Sequence, residues 1–536
     1  MLNNGRCWSR CWNDWNVLSW PDGQARDALN EEQYRELCEA CDRVLLAPDS
    51  TIERLAIPWL HVIREHPVFL NNYVDLFEPA KGVKSIARQW WRVLRNKAGW
   101  LWQLGRASRA DGQLWFAPKE LPGRIDVLIV SHLLSASHAG QADDFYFSEL
   151  PNKLVVQGYS VVIALINHSD QPGAALADKW KESTVPRVVL SASLGILEEV
   201  ALYRRLKNES FRLRKLEKKE TAGLSRKVLV QASQEALSGG SRRTLRMAQQ
   251  IGALVAKLKP KAIAVTYEGH AWERVAFAAA RSTVPEVRCI GYQHSSLFRL
   301  QHAIRRNLAR GYNPDQILTA GTIGKEKLEQ SPGLKGIPIS VLGSNRGVKA
   351  HAYGVRPNLR LQILGHSDSR ACLVLPEGID SECHLLFEFS LECAQACPDI
   401  QFIWRLHPNV TFESLTIQNT KLRNLPYNVV LSREDLEVDI ARCCWALYRG
   451  TTAIIQVAGA GIRPIYLQVP GEMSVDPLYE LGVWRTSVAK TDDLKRVIEA
   501  DKTNPLLDGE SAFIFAEQYL GNFFTPLNTD VFKAAI

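Results

Sequence analysis

The sequence has no hydrophobic run of the length that a membrane-spanning helix needs. No stretch approaches about 18 consecutive apolar residues, and the longest apolar run near the start of the folded region is Val127–Val130. The first residues, MLNNGRCWSRCWNDWN, lack the apolar core of a signal peptide. Eleven cysteines in 536 residues show no regular framework, which excludes a secreted disulfide scaffold and fits a reducing compartment. We therefore expect a cytoplasmic protein.

Two common nucleotide-binding signatures are also absent. The sequence contains no GxxxxGK(S/T) loop and no strand-linked GxGxxG, which disfavours P-loop NTPases and simple dinucleotide-binding enzymes. We find no internal repeat and no low-complexity tract. The composition is that of a globular protein, with 46% hydrophobic and 23% charged residues and a net charge of +8. At about 150 residues per domain, the length predicts two or three domains.

Tryptophan is concentrated in residues 1–120, which we interpret as a helical extension. Ten of the fifteen tryptophans lie there. Residues 81–109 carry eight lysines or arginines and no acidic residue, interleaved with Trp90, Trp91 and Trp100. Two interpretations stay open. Either this basic, Trp-rich helix lies in the headgroup region of an anionic membrane, or its tryptophans pack on the next domain while its cations are solvated.

From residue 124 onward, short apolar strands alternate with helical segments, the pattern of βαβ units and parallel sheets. The first series spans residues 121–343 and the second spans residues 371–536. Residues 344–370 lose this periodicity and carry Gly, Pro, Ser and Asn, so we assign them to a linker. The predicted fold class is α/β, with two Rossmann-like domains that face a cleft after the helical extension.

In an open parallel sheet, ligands bind beyond the carboxyl ends of the strands. In the first domain, Glu268 and His270 flank Gly269 directly after the predicted strand at 261–267. The glycine permits a tight turn into a helix. The carboxylate could deprotonate an acceptor hydroxyl, and the imidazole could bind phosphate or share the proton transfer. The alternative is that Glu268 caps the helix dipole while His270 packs.

Other residues at strand ends of the first domain are assigned to the acceptor side of the cleft. They are His132, Gln293 and His294. For the loop at 291–296, an ordinary connection with a serine N-cap is an equally open alternative.

In the second domain, a predicted strand at 401–406 ends in Arg405 and Leu406, and His407 follows it directly. Side chains alternate along a strand, so Arg405 and His407 are expected on one face, and Pro408 stops the strand. A cationic pair at a strand end suits a phosphate or a carboxylate. A purely structural histidine is the alternative.

Two glycine-containing loops complete the predicted donor site. The loop at 449–453 has two threonine hydroxyls and backbone N–H groups at a helix start, which could cradle a phosphate. Threonine N-capping is compatible with the same residues. The loop at 375–378 carries the Glu377 carboxylate, which could accept hydrogen bonds from a ribose or a base. The residues assigned to donor binding in these loops are Glu377, Gly378, Arg449, Gly450, Thr451 and Thr452.

Four cysteines near the start form a CxxxC pair (Cys7, Cys11) and a CxxC pair (Cys38, Cys41). That spacing is compatible with zinc. However, Cys38 and Cys41 lie in a strongly helical context without the turn residues of a zinc knuckle. We therefore assign no metal ligands, and a zinc site stays the alternative.

Five short segments together resemble those of bacterial surface-carbohydrate biosynthesis proteins of the GT-B glycosyltransferase fold. They are YEGHAWER (267–274), GYQHS (291–295), LPEG (375–378), RLHP (405–408) and RGTTA (449–453). The His407–Pro408 pair and the threonine turn are similar to donor-site motifs of sialyl- and Kdo-type transferases. This resemblance implies phosphate contacts from His407, Thr451 and Thr452 and a base at Glu268. The acidic D/E-D/E-G motif that is usual in this family is present here only as Glu268–Gly269. Residues 1–120 have no counterpart in the family.

We therefore predict a metal-independent glycosyltransferase of surface polysaccharide biosynthesis that needs no cofactor. Its donor would be a nucleotide-sugar, specifically a CMP-activated ulosonic acid such as Kdo or a sialic-acid-like sugar. Its acceptor would be a glycan or a lipid-linked oligosaccharide, reached from the cytoplasm or from the inner face of the membrane, and nucleic acid is not expected as a partner. The alternatives are a CDP-alcohol phosphotransferase, a sugar-nucleotide epimerase and a non-catalytic assembly protein.

Overall fold

The structure is a computed structural model that describes residues 29–77, 83–109, 112–118, 120–135, 137–169, 171–346, 370–408, 410–503 and 509–536. The described residues before the first sheet are largely helical, as expected for the extension. They are α1 (Glu31–Leu45), α2 (Ile52–Leu55), α3 (Pro67–Leu70) and α4 (Val83–Ala107). None of the described helices has the length and apolarity needed to cross a bilayer.

The first sheet has eight strands in the order β1-β4-β3-β2-β5-β6-β7-β8, all parallel except for β1 against β4. Its central strands β2, β3 and β5 consist largely of Val, Ile, Leu and Ala and are buried on both faces, as expected for a sheet covered by helices on both sides. The strands are β1 (Trp115–Phe116), β2 (Val127–Leu133), β3 (Val161–Asn167), β4 (Arg187–Leu190), β5 (Ala262–Thr266), β6 (Arg288–Gln293), β7 (Gln316–Thr319) and β8 (Ile339–Val341).

Eight α-helices accompany this sheet in the described part of the chain. The longest, α7 and α9, also pack against the N-terminal helices and form with them one apolar cluster. The helices are α5 (Leu150–Val156), α6 (Gly173–Lys179), α7 (Ile196–Glu217), α8 (Leu224–Glu235), α9 (Gly239–Leu258), α10 (Ala271–Thr283), α11 (His302–Arg305) and α12 (Thr322–Glu329).

The second sheet has six parallel strands in the order β11-β10-β9-β12-β13-β14. Its strands are β9 (Arg370–Leu375), β10 (Ile400–Trp404), β11 (Val429–Leu431), β12 (Trp445–Tyr448), β13 (Arg463–Leu467) and β14 (Thr486–Val488). Its helices are α13 (Asp380–Ala396), α14 (Phe412–Gln418), α15 (Leu436–Arg442), α16 (Ala453–Gly459), α17 (Thr491–Thr503), α18 (Gly509–Gly521) and α19 (Thr529–Ala535). The predicted α/β class with two Rossmann-like units is confirmed.

Two predicted elements are wrong in ways that affect the site. Strand β10 ends at Trp404, so Arg405 and His407 lie beyond the strand and the alternation argument does not apply to them. The sequence of residues 144–157 also predicts a helix before β3, but the helix begins only at Leu150. Before it, the Asp144 carboxylate accepts hydrogen bonds from the backbone N–H groups of Tyr146 and Phe147, a local side-chain bond that favours a turn over a helix.

Several strands were not predicted because each is short. β4, β8 and β14 have four, three and three residues, which leaves too few positions for a recognisable pattern. The linker assigned to 344–370 lies outside the described residues except at its ends, since residues 347–369 are not described. The domain boundaries therefore stay predictions.

After α18 the chain returns from the second unit to the first. Thr525 donates its backbone N–H to the Ala320 carbonyl (3.0 Å) and accepts from the Ser344 N–H (2.7 Å). Residues of both sheets and of α18 and α19 share one apolar core. This return places the two sheets against each other and fixes where their strand ends can meet.

Gly321 tests this docking of the C-terminal segment. A Cβ at position 321 would lie 2.3 Å from the carbonyl oxygens of Asn522 and Phe523, which are backbone atoms that cannot rotate away. We expect Gly321→Ala to lower the free energy of unfolding by about 1–3 kcal/mol, measured by denaturant titration. The matched control is Gly482→Ala, where nothing lies within 4 Å. An unchanged midpoint for Gly321→Ala would contradict the described contact.

Candidate active site

The polar residues predicted for the first domain meet at one edge of its sheet. β3, β2, β5 and β6 are adjacent parallel strands, so their carboxyl ends lie side by side. His132 is the penultimate residue of β2, and His168 follows β3. Glu268 and His270 follow β5, and His294 follows β6. His168 was not predicted, although it lies at the same position relative to its strand as the others do.

The turn that presents Glu268 and His270 depends on two neighbouring residues. Gly269 has φ +87°, and a Cβ there would lie 2.3 Å from the Ala303 backbone, so a larger residue does not fit. The buried Glu273 carboxylate accepts hydrogen bonds from the backbone N–H groups of Glu268, Gly269 and His270 at 2.7–3.1 Å. Glu273 is thus the unpredicted residue that shapes the turn, and its position three residues into α10 is the capping-box signal that could have revealed it.

Glu268 and His270 form a half-buried pair. Glu268 Oε2 lies 3.4 Å from His270 Nε2, and Ser295 Oγ donates to Glu268 Oε1 at 2.5 Å. Burial by itself raises the pKa of Glu268, but the bond with His270, the His294 and His270 charges and the Ser295 hydroxyl lower it below the usual range. Burial likewise acts against protonated His270, yet Glu268 and Glu273 raise the pKa of His270. Both shifts favour an ionised carboxylate beside a protonated imidazole.

The other histidines of the cluster are neutral. His132 Nδ1 lies 2.9 Å from His168 Nε2, and the His132 ring stands edge-on to Trp272. Burial lowers the pKa of His132 well below its ordinary value, that of His168 to about 3 and that of His294 to about 4. His294 Nδ1 is buried without a hydrogen bond to the described residues.

Gln293 does not face the site in the way the sequence predicted. Its side chain is buried, donates to the Ser295 carbonyl and places Oε1 where a Cβ of Gly324 would lie. Because the loop at 293–295 folds back on α12, Gln293 supports the turn that positions Ser295. The acceptor-side assignment of Gln293 is therefore corrected to a supporting position.

Three strand-end loops of the second sheet converge through glycines. β10, β9 and β12 are adjacent. A Cβ at Gly378 would lie 2.5 Å from His407 Nδ1, and a Cβ at Gly450, which has φ +70°, would lie 2.3 Å from Glu377 Oε2. The two glycines thus let the His407 and Glu377 side chains lie directly on backbone. The structure brings together four of the predicted donor residues.

The two arginines predicted to bind the donor are engaged elsewhere. Arg405 pairs with Asp439 (Nη1–Oδ2 3.0 Å) because β10 has ended and the chain turns toward α15. Arg449 is fully buried, and its guanidinium bonds to Glu382 (Nε–Oε2 2.7 Å) and Glu472. A buried guanidinium needs such paired carboxylates. Arg449 therefore anchors the second unit and does not reach a phosphate at the surface, whereas Arg405 is partly exposed and its phosphate contact stays a prediction.

The two threonines remain at the start of α16. Thr451 is buried, and its Oγ1 accepts from the Ala453 N–H at 3.3 Å. Thr452 is the N-cap residue and makes no side-chain capping bond. The N-capping alternative thus applies to Thr451 only in a weak form, and the Thr452 hydroxyl is not used by the helix.

The N-terminal extension reaches this cleft, which the sequence did not predict. Arg64 Nη2 donates to Glu377 Oε1 (2.9 Å), and the buried His66 places Nε2 2.9 Å from Glu377 Oε2. The Arg64 guanidinium lies over the Phe298 ring at 5.2 Å, in the loop after β6. Between them, Glu65 accepts from the Leu300 N–H at 2.7 Å. Residues 64–66 therefore connect the strand-end loops of the two sheets.

This contact sets the charge of Glu377. Burial raises the pKa of Glu377, but the His66 and Arg64 charges outweigh it and lower the pKa below the usual value. The Arg64 charge also opposes protonation of His270, but the Glu268 and Glu273 carboxylates outweigh it and the pKa of His270 is raised. No sequence signal marked residues 64–66, since they lie in an irregular segment before the strand–helix pattern begins.

The described cysteines do not form a metal site. Cys38 and Cys41 are buried in α1, and burial raises the pKa of Cys38 to about 12, which disfavours the thiolate that a metal requires. Cys7 and Cys11 lie outside the described residues. Within the part of the chain that the structure covers, no group of three His, Cys, Asp or Glu side chains has the geometry to hold a metal ion.

Comparisons with known proteins give structural likenesses only. No family model matches the chain, and no curated protein matches it. Among solved structures, a glycosyltransferase of kitacinnamycin shares 13% identity and covers 77% of this chain and 100% of its own, at a TM-score of 0.45. The UDP-GlcNAc 2-epimerase from Neisseria meningitidis bound to UDP-GlcNAc shares 13% identity, with 77% and 99% coverage and a TM-score of 0.42. The calicheamicin glycosyltransferase CalG4 shares 11% identity, with 77% and 98% coverage and a TM-score of 0.43. We draw no conclusion about activity from likenesses this weak.

The neutral histidines predict a pH-dependent stability. A histidine whose pKa is lowered in the folded state binds fewer protons when folded than when unfolded. Its contribution to the free energy of unfolding is fully present above about pH 6.5 and is lost as the pH falls toward the pKa of the folded state. For His294 that window runs from about 6.5 down to about 4. We expect His294→Gln to weaken the loss of stability between these pH values, measured as denaturation midpoints across the range. An identical pH profile in variant and parent would contradict a neutral, buried His294.

Proposed function

We propose that the chain is a glycosyltransferase that uses a nucleotide-sugar donor and acts in bacterial surface polysaccharide biosynthesis. The observation that carries the proposal is the convergence of two strand-end clusters: Glu268 with His270 on one sheet, and His407 with Glu377 on the other. Residues 64–66 link the two. Two α/β units with reactive groups at facing strand ends suit a substrate that bridges them, as a nucleotide-sugar does with its base and phosphate in one unit and its sugar near the acceptor.

The proposed donor is a CMP-activated ulosonic acid, as the resemblance of the His407–Pro408 and threonine-turn motifs implies. In this arrangement His407 and Thr452 contact the donor phosphate, and Arg64 supplies the positive charge that Arg449 does not. Arg64 is then released from Glu377 to the incoming anion, since a phosphate competes with a carboxylate for a guanidinium. Glu377 accepts hydrogen bonds from the ribose or the base.

In the transfer step, an acceptor hydroxyl attacks the anomeric carbon of the donor. The new carbon–oxygen bond forms as the bond to the phosphate oxygen breaks, and CMP leaves with both electrons of that bond. The hydroxyl proton passes to Glu268. The pKa of Glu268 is lowered in the structure by His270 and His294. A donor carboxylate and phosphate near Glu268 would raise this pKa toward the value that a general base needs, since negative charge disfavours the ionised carboxylate.

The proposed partners and setting follow from the same assignment. The acceptor is a glycan or a lipid-linked oligosaccharide, and the protein is cytoplasmic or peripheral on the inner face of the membrane. No metal or cofactor is assigned a role, since the Arg64 guanidinium supplies positive charge to the leaving phosphate and His407 supplies a hydrogen bond.

A thermal-shift panel with CMP, CDP, UDP, GDP and their common conjugates tests the donor site. A ligand at about 100 times its Kd stabilises the folded protein by roughly 2.7 kcal/mol. We expect stabilisation by CMP that is lost in His407→Ala and weakened in Arg64→Ala. The matched controls are His384→Ala on α13 and Arg496→Ala on α17, which should respond as the parent does.

Other outcomes of the panel separate the rival functions. Stabilisation by UDP or GDP overturns the CMP donor, and a response to CDP-alcohols indicates the phosphotransferase. Turnover of UDP-GlcNAc without acceptor indicates an epimerase. A folded sample that responds to no nucleotide contradicts the enzyme proposal and favours a non-catalytic assembly protein.

Glu268 is tested by the rate of CMP release from the donor that the panel identifies. We expect Glu268→Gln to lower kcat by about 10²–10⁴-fold with little change in donor KM, because the amide cannot take the proton. Ser295→Ala removes a hydrogen bond to the carboxylate. It should raise the pKa of Glu268, so that the acidic limb of the pH–rate profile moves to higher pH. A kcat within threefold of the parent in Glu268→Gln would assign the base elsewhere.

A further inference from the structure

Over residues 90–107, where the side chains of helix α4 are described, one face of the helix packs on the protein. On that inner face the Trp100 ring stacks on Tyr203 with a centroid distance of 4.6 Å. Gln103 is buried and donates to Ser193 Oγ and Glu199 Oε1, both at 3.1 Å. Arg92 faces Asp75 at 3.7 Å. These contacts fix the rotation of the helix and hence decide which side chains point outward.

The outer face of α4 carries large apolar side chains. Trp90, Trp91 and Trp102 are 66%, 56% and 52% exposed, and Leu94 and Leu101 are 55% and 68% exposed. Their spacing of three, four and seven residues places them along one side of the helix; we call these five residues the α4 stripe. Of the two open interpretations of the tryptophans, packing on the next domain holds for Trp100, whereas the three other tryptophans named here are largely exposed.

Positive charge is concentrated on the same segment. Residues 81–109 hold eight lysines or arginines and no acid, and the net charge of the whole chain is +8. The rest of the chain is therefore neutral in sum, and the excess charge belongs to the segment that carries the stripe. Arg95 and Lys97 are exposed between its tryptophans and leucines, and the Arg106 guanidinium lies over the Trp102 ring at 4.8 Å.

We propose that the α4 stripe binds an anionic lipid surface, with the helix lying in the plane of the headgroups. Tryptophan favours the boundary between headgroups and acyl chains, and lysine and arginine near an anionic leaflet each add to the binding. A second copy of the chain fits the surface poorly. A twofold contact would bring two acid-free, strongly basic helices together, and like charges then repel.

The proposal is independent of the catalytic assignment, since it concerns binding of the whole chain to lipid without any substrate. If both hold, the surface would bring the cleft to a lipid-linked acceptor. A failure of vesicle binding leaves the nucleotide panel unaffected, and a silent panel leaves the vesicle result unaffected.

Vesicle flotation of the full-length protein tests the surface. The two vesicle types are pure phosphatidylcholine and phosphatidylcholine with about one third phosphatidylglycerol. We expect partitioning at least about tenfold stronger onto the anionic vesicles, and a marked loss of binding in about 0.5 M salt, which screens the attraction.

Two variants separate the apolar and the charged contributions. Trp90→Gln with Trp91→Gln keeps helix-forming side chains and removes two rings, while Arg95→Glu with Lys97→Glu reverses two charges. Each pair should lower binding by about tenfold or more. The matched controls are Ile514→Gln with Phe515→Gln on α18, another exposed apolar pair, and Lys495→Glu with Arg496→Glu on α17. Both controls should bind as the parent does.

Three results would overturn the proposal. The first is equal, weak partitioning onto both vesicle types by folded protein. The second is a loss of binding in the control pairs as large as in the α4 pairs, which would mean that total charge or apolar area drives binding. The third is a dimer in sedimentation that the Trp90→Gln, Trp91→Gln variant converts to monomer, which would assign the stripe to contact between copies of the chain.

Discussion

The ion pair between Arg64 and Glu377 is the interaction on which the geometry of the cleft depends. Arg64 belongs to the N-terminal extension and Glu377 to the second sheet, while the Arg64 guanidinium lies on Phe298 beside the first sheet. One side chain thus touches all three parts of the chain. Because both charged groups are largely removed from water, separating them leaves an unpaired buried charge. An anion that replaced the carboxylate would keep Arg64 paired, while His66 would remain beside Glu377.

Two kinds of histidine share the edge of the first sheet, and their surroundings decide their charge. His270 is held protonated by the Glu268 and Glu273 carboxylates, whereas His132, His168 and His294 are kept neutral chiefly by burial. A site that places a charged pair beside neutral imidazoles offers both an electrostatic partner for an anion and uncharged hydrogen-bonding groups for hydroxyls. Both are features that a phosphorylated sugar requires.

The sequence predicted the places of the reactive groups better than their partners. Glu268, His270 and His407 were found because apolar strands followed by glycine or proline mark strand ends, and parallel strands bring those ends together. Arg405 and Arg449 were assigned on the same reasoning, but their partners Asp439 and Glu472 lie 34 and 23 residues away along the chain. Local patterns do not reveal such pairings, since a buried arginine and a phosphate-binding arginine have the same neighbours in sequence.

What the sequence by itself determined is the class of the fold, the helical extension and the set of strand-end loops, because these follow from the local period of apolar residues and from turn-forming glycines. Only the tertiary structure decided that Arg64 and His66 reach Glu377, that the segment after α18 returns to the first sheet, and that the α4 stripe faces outward. These depend on contacts between residues far apart in the chain, and the rotation of a helix is set by what its inner face packs against, here Tyr203 and Glu199.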